Sequence, residues 1–332
     1  MKTLVTSISI LVMAFGYYYV QAQPCDTGKL DPRVSTALKT VLRDLPASPN
    51  MSVEQIRDVR VPSLPFPAGD RQTMKVTTDS VGIQIYNPSH TNGLPIIIYY
   101  HPGGFVTPFL PFMQYECWRQ AKAFAAIVVA VDYRIAPEHP YPAAVDDAYH
   151  AFRWISTHGL TFGGDTSRII VEGLSAGGNL AAVVCQKAKL DGIQNRIKLQ
   201  VLNCPSTDNA RNNSRYASYQ RFASGYFLNK AFCEYTMQAY APQVSLENPE
   251  VGPINRQDLS NLPPALVLTA EFDPLRDEGQ QYARRLQNAR VRVWDHCFSG
   301  QIHCLLGLPP DSDEQKLADK LLLTAMRTVL NR

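Results

Sequence analysis

The spacing of apolar side chains changes along this chain. In residues 31–45, DPRVSTALKTVLRDL, and residues 52–61, SVEQIRDVRV, the apolar positions recur three and four apart, which predicts two short helices divided by the breaker PASPN. From residue 72 the period shortens. QTMKVTTDS and VGIQIYNP alternate as strands do, and LPIIIYYH, AAIVVAVDY, SRIIVEG, IKLQVLN and PALVLTAEFD are short, β-branched, almost continuous apolar runs. Runs of that kind belong to strands buried on both faces. Helical patterns stand between several of them, at AAVDDAYHAFRWISTHG, AGGNLAAVVCQKAKLDG and DEGQQYARRLQNA. The expected fold is therefore α/β, a mostly parallel central sheet with helices on both sides. Residues 209–256 break the rhythm, being rich in Tyr, Phe, Asn and Arg between two strands. An insertion there lies over the ligand crevice of an open α/β sheet and predicts a lid.

Composition narrows the function classes. The 332 residues are 45% hydrophobic and 18% charged, enough for a large core. The net charge of +3 comes from dispersed residues without a basic stripe, which argues against nucleic acid as a partner. Before Gln23 the chain carries Lys2, an uncharged apolar run from Leu4 to Val20, and small residues at Val20 and Ala22. That pattern predicts a cleaved signal peptide over residues 1–22 and a secreted body of residues 23–332; an uncleaved anchor with a lumenal body is the alternative. No later segment is apolar enough to span. Asn50 and Asn212 head glycosylation sequons. Seven cysteines leave at least one unpaired, and none has the spacing of a zinc motif, so no metal is expected. Cys185 lies in an apolar helical pattern and reads as a buried thiol.

The chemistry centres on Gly173-Leu174-Ser175-Ala176-Gly177, which fits GxSxG between the strand SRIIVEG and a helix. A serine hydroxyl becomes a nucleophile only when a base reaches it, and a sharp strand-to-helix turn exposes it to both base and substrate. The helix N-terminus places the Ala176 N–H where an oxyanion would form. A phosphate loop would need a Lys that is absent here. The turn Gly103-Gly104 in YYHPGGF allows the backbone to approach a carbonyl, so Gly103 and Gly104 are further donors, whereas Pro102 has no N–H. Of seven histidines only His296 and His303 follow Ser175. His296 falls within the strand pattern VRVWDHCF and His303 in the loop beyond it, which favours His303 as base. Asp273 ends the buried run before Pro274 and is the candidate acid; Glu271 and Asp295 are weaker, and Asp277 and Glu278 suit the first turn of a helix.

With these residues assembled, the chain resembles the hormone-sensitive-lipase-type carboxylesterases of the α/β-hydrolase fold, from about residue 29 to the end. HPGGF, DYRIAPEHPYPAAVDDA, GLSAGGNLA, LPPALVLTAEFDPLRDEG and GQIHC follow the family order. The resemblance implies Ser175 as nucleophile, Asp273 as acid, His303 as base and Gly103, Gly104 and Ala176 as the oxyanion hole. It also implies a cap built from residues 29–60 and 209–256, a structural role for Tyr133-Arg134 through Asp147 with His139, and no cofactor. Phe105, Phe222, Tyr226 and Phe227 are candidates for contact with a small ester bearing an apolar, aryl or short-to-medium acyl group. The expected activity is that of a serine carboxylesterase; a non-catalytic binding protein and a membrane-anchored deacetylase of the secretory pathway are the alternatives. Pro102 stands where the family has a glycine that is not a donor. Leu174 stands where it has an acidic residue that supports the elbow, and Cys304 where it has a glycine, either reshaping the pocket or supplying a disulfide.

Overall fold

The apolar runs become the interior of an eight-stranded sheet, in a computed structural model that describes residues 25–40, 42, 52–58, 63–76, 81–208, 215–306 and 308–330. The strands are β1 (Arg71–Lys75), β2 (Gly82–Tyr86), β3 (Leu94–Tyr100), β4 (Ile127–Asp132), β5 (Gly164–Leu174), β6 (Ile197–Asn203), β7 (Ala265–Phe272) and β8 (Val293–Ile302), ordered β1-β2-β4-β3-β5-β6-β7-β8. β1 and β2 pair antiparallel at one edge and β2 meets β4 antiparallel, while β4-β3-β5-β6-β7-β8 is parallel throughout. The C-terminal ends of β5, β6, β7 and β8 therefore open on one edge, where an open parallel sheet binds its ligand.

Alternate side chains of each strand enter different layers, as a period of two requires. Ile96, Ile98, Tyr100, Val129, Val131, Ile169 and Val171 pack against α4 (Ala143–His158), α5 (Ala176–Leu190) and α8 (Arg276–Asn288). Ile97, Tyr99, Val128, Ala130, Ile170, Leu199 and Leu268 face α3 (Pro111–Phe124) and α9 (Asp313–Leu330) on the other side. Both α3 and α9 go beyond the elements expected from the sequence.

The two N-terminal helices are shorter than their patterns: α1 spans Pro32–Lys39 and α2 spans Val53–Arg57. Val34 and Ala37 of α1 pack with Phe222, Phe272 and Ile302, which seats α1 over the ends of β7 and β8. A disulfide joins Cys25 to Cys297. The buried Glu271 carboxylate accepts from Thr27 Oγ1 at 2.8 Å, Gly28 N–H at 2.7 Å and Gly300 N–H at 2.8 Å, so this weaker candidate acid instead ties the N-terminal segment to the sheet. The expected lid contributes α6 (Ala217–Arg221) and α7 (Lys230–Tyr240). The signal segment, Asn50 and Asn212 lie outside the described residues. Among the described residues no helix is long and apolar enough to cross a membrane.

Candidate active site

Ser175 joins β5 to α5 with φ 55° and ψ −115°, a left-handed conformation that a serine adopts only under constraint. The constraint is the tight seating of α5 on the sheet. A Cβ at Gly173 would lie 2.0 Å from the Gly177 carbonyl oxygen, and one at Gly177 would lie 1.9 Å from that of Tyr100. Only glycines permit this approach. The Ser175 N–H donates to the Asn203 carbonyl at 2.9 Å, and the Ser175 carbonyl accepts from Asn179 at 3.1 Å and Ser206 at 3.2 Å. Asn179, fully buried, donates to the carbonyls of Ser206 and Val251, which braces the elbow from behind. Leu174, half-buried, packs on the apolar layer beneath α3 and α9. The elbow thus forms without an acidic residue before the serine.

The loop after β3 lies beside this turn. Gly103 has φ 124° and Gly104 φ 61°; an added Cβ would lie 2.5 Å from Thr107 Cβ at the first and 2.9 Å from Thr236 Cγ2 at the second. Both positions need glycine for conformation and for space. Among the described residues, no protein acceptor takes the N–H of Gly103, Gly104 or Ala176. Ala176 is at the first position of α5, where the helix itself supplies no acceptor.

Several contacts fix this loop. The buried His101 ring stacks on Tyr133 with centroids 4.0 Å apart, and Tyr133 Oη donates to the His101 carbonyl at 2.7 Å. Burial pulls the His101 pKa down to about 4, so the ring is neutral and adds no charge. Tyr133 precedes Arg134, whose backbone N–H, Nε and Nη2 all donate to buried Asp147, giving that motif its structural role. Arg57 is a residue the sequence reading passed over. Its Nε donates to the Val106 carbonyl at 2.8 Å, its Nη2 to the Ala136 carbonyl at 2.8 Å, and Glu138 pairs with it at 2.7 Å. It clamps the glycine loop to the segment after β4. Its only sequence signal was a basic residue in the last turn of an amphipathic helix, which any solvated helix face also shows.

Asp273 and His303 meet across the ends of β7 and β8. Asp273 Oδ2 lies 2.7 Å from His303 Nδ1, and both side chains are buried. Burial alone would lower the His303 pKa, but the adjacent carboxylate outweighs it and holds the imidazole well above its ordinary value. β8 runs to Ile302, so His303 follows a strand end directly. His296 sits within β8, against Phe298, with burial lowering its pKa. Asp295 is also within β8, and Asp277 accepts from Ser218 N–H at 2.8 Å. Glu278 is in the first turn of α8 as expected, yet it is fully buried and accepts from Thr207 N–H at 2.7 Å. Among the described residues Ser175 and His303 share no direct hydrogen bond. Such contacts commonly close only around substrate.

Two cysteines flank the histidine. Cys204 follows β6 and Cys304 follows His303; the Cys304 N–H donates to Cys204 Sγ at 3.2 Å. The hydrogen bond between the two thiols pulls the Cys304 pKa down and pushes that of Cys204 up. Both cysteines are free, so Cys304 supplies no disulfide.

A narrow cleft with a cavity volume of about 40 Å³, partly open to solvent, reaches Ser175 and is lined by Gly104, Phe105, Leu228, Phe232, Thr236 and Met237 among others. Phe105 is thus at the site. Phe222, Tyr226 and Phe227 are not on its wall: Phe222 and Tyr226 pack on Phe272 with centroids 5.4 Å and 5.1 Å apart, and Phe227 is held in the same apolar cluster. The aromatic count of the insertion pointed to them, but Phe272 at the end of β7, with Val34 and Ala37 of α1, supplies their apolar partners. The cleft is walled instead by Leu228 and α7.

Residues 97–307 match the family described as alpha/beta hydrolase fold. The chain is 36% identical over 301 residues to esterase LipI of Mycobacterium tuberculosis, covering 89% of this chain and 88% of that protein. It is 32% identical over 250 residues to an arylesterase of Saccharolobus solfataricus, covering 74% and 80%. A solved hyperthermophilic esterase from Pyrobaculum calidifontis superposes with a TM-score of 0.80 at 33% identity, over 91% of this chain and 99% of that one.

Proposed function

This chain belongs to the α/β-hydrolase fold family, in its hormone-sensitive-lipase-type carboxylesterase branch, and is a carboxylic ester hydrolase; from that premise we propose that it is a secreted serine esterase acting on small apolar or aryl esters with short-to-medium acyl groups. The observation that carries the mechanism is Ser175 at a left-handed elbow beside three backbone N–H groups that have no protein acceptor among the described residues. His303 takes the Ser175 hydroxyl proton on Nε2 as Oγ attacks the ester carbonyl, and the oxyanion accepts from Gly103, Gly104 and Ala176. Collapse breaks the bond to the alcohol oxygen, which leaves with the proton from His303. Water then attacks the acyl-enzyme with its proton passing to His303, the acid departs, and Ser175 is reprotonated. Asp273 keeps the imidazole in the tautomer with its proton on Nδ1. The apolar side chains of Phe105, Leu228, Phe232 and Met237 along the cleft support a small apolar acyl or aryl group.

The Cys25–Cys297 bridge supports passage through an oxidising compartment, where cleavage of residues 1–22 and glycosylation of Asn50 and Asn212 would take place. Intact-mass measurement of the mature protein tests this, since an N-terminus still carrying residues 1–22 favours the anchored alternative. The reaction itself is tested with a serine-directed phosphonate. Wild type should hydrolyse aryl acetates, label once per chain and lose that hydrolysis on labelling, and Ser175→Ala should neither hydrolyse them nor label. Labelling of a folded Ser175→Ala variant rejects the assignment.

A further inference from the structure

Cys204, His303 and Cys304 each offer one ligand atom, two sulfurs and an imidazole nitrogen, and these atoms all lie within 4.8 Å of one another. We propose that this trio is an inhibitory site for a thiophilic divalent cation such as Zn²⁺, which on binding withdraws the catalytic base. The inference rests on the reading of His303 as base.

The fold itself brings the trio together. Cys204 caps β6 with φ 42°, its N–H donating to the Leu268 carbonyl on neighbouring β7 at 2.7 Å, and Cys304 follows β8 with φ 55°. Two strand ends one strand apart thereby direct their thiols to one point. A tetrahedral zinc with Zn–S near 2.3 Å and Zn–N near 2.0 to 2.1 Å needs ligand separations of about 3.5 to 3.8 Å, so the three atoms close by about 1.3 Å at most. Two sulfurs and one nitrogen select Zn²⁺ or Cd²⁺ over Mg²⁺ or Ca²⁺, which take oxygen. The fourth position stays open for water, as in other three-ligand zinc sites.

The outer shell is also in place. A metal-bound imidazole normally donates its other N–H to a carboxylate, and His303 Nδ1 already faces Asp273 Oδ2 at 2.7 Å. The lone pair left for the metal is that of Nε2, which the reaction needs for the serine proton. Binding displaces the protons held by the two thiols and by His303 Nε2 and forms two metal–sulfur bonds and one metal–nitrogen bond, with no change of oxidation state. Cys204 is buried and Cys304 half-buried, so the metal enters from the Cys304 side. The cluster is invisible in sequence spacing because Cys204 and Cys304 are 100 residues apart.

The test uses full-length mature protein in thiol-free buffer, with Co²⁺ as the spectroscopic probe and Zn²⁺ as the inhibitor. Wild type and Ser175→Ala should both develop sulfur-to-cobalt charge-transfer absorption, and Zn²⁺ at micromolar concentration should lower wild-type aryl acetate hydrolysis at least tenfold, reversed by a chelator. Cys304→Gly, suited to the positive φ, and Cys204→Ser should each lose the absorption and keep their own metal-free rates when zinc is added. The proposal fails if no such absorption appears, if zinc inhibits both variants as it inhibits wild type, or if mass spectrometry finds Cys204 and Cys304 already joined as a disulfide. The cobalt signal in Ser175→Ala separates the outcomes: absorption without any wild-type hydrolysis would reject the esterase mechanism and not the metal site.

Discussion

Asp273 divides its carboxylate between two partners: Oδ2 lies 2.7 Å from His303 Nδ1, and Oδ1 accepts from the Leu275 N–H at 2.9 Å. The second bond holds the first in place, because it stops the carboxylate rotating away at the end of β7. Asp273→Asn keeps the shape and the Leu275 bond but can place an amide donor toward Nδ1, which favours the wrong tautomer. We expect kcat to fall about 10⁴-fold with KM changed little. Steady-state kinetics on an aryl acetate check this, and a loss confined to KM would mean that Asp273 serves substrate binding instead.

Arg57 acts on the oxyanion loop from outside the site. Its guanidinium reaches the carbonyls of Val106 and Ala136 and pairs with Glu138, joining α2, the glycine loop and the segment after β4. Because no part of it touches the cleft, Arg57→Met should lower kcat by about 10- to 100-fold through a displaced loop, leaving KM near wild type. Unchanged kcat in a folded variant would show that the Tyr133 and His101 contacts hold the loop unaided.

The legibility of the site followed the reach of each interaction along the chain. The sheet could be read because strands buried on both faces carry long apolar runs, as β3, β4, β7 and the Ile169–Val171 stretch of β5 do. Ser175 and Asp273 stood out because each follows the end of such a run, and His303 because it is one of only two histidines after Ser175 and lies beyond the strand pattern that holds the other. Helix α3 escaped notice although Met113, Cys117, Ala121 and Phe124 mark a buried face, since Tyr115 and Trp118 blur the stripe. The substrate wall was misplaced for a different reason. An aromatic side chain in an insertion announces burial, not its partner, and only the tertiary fold shows that Phe222 packs on Phe272 at the end of β7 beneath α1. The bridge from Cys25 to Cys297 and the meeting of Cys204 with Cys304 depend on strand order, which no local pattern encodes.

Met237 offers a way to change the acyl preference. It lines the cleft on α7, one residue past Thr236, which itself crowds Gly104. Truncating it as Met237→Ala removes three side-chain heavy atoms from the wall without touching the Gly104 contact. The ratio of kcat/KM for hexanoate over acetate esters should rise about tenfold, the scale on which hydrophobic pockets distinguish chain lengths. The cavity should cost about 2 to 5 kcal/mol of stability, read from denaturant titration. An unaltered ratio would place the acyl chain elsewhere in the cleft.

Glu172 gives the fold a pH dependence separate from catalysis. It lies on β5, nearly fully buried, with Oε1 accepting from Gln120 Nε2 at 3.0 Å and Oε2 without a partner among the described residues. Burial raises its pKa from 4.5 to about 8, only partly opposed by the Gln120 hydrogen bond. The native state therefore holds a proton that the unfolded chain has released across this range. Its contribution to stability is complete below the unfolded pKa of 4.5 and is lost as pH rises through the folded value of about 8. The loss proceeds with a slope of up to about 1.4 kcal/mol per pH unit. Glu172→Gln, neutral at every pH, should remove that slope and leave the variant more stable relative to wild type at pH about 8 than at pH about 5. Denaturant unfolding across that interval decides it: parallel curves for the two proteins would mean that Glu172 is ionised in the native state.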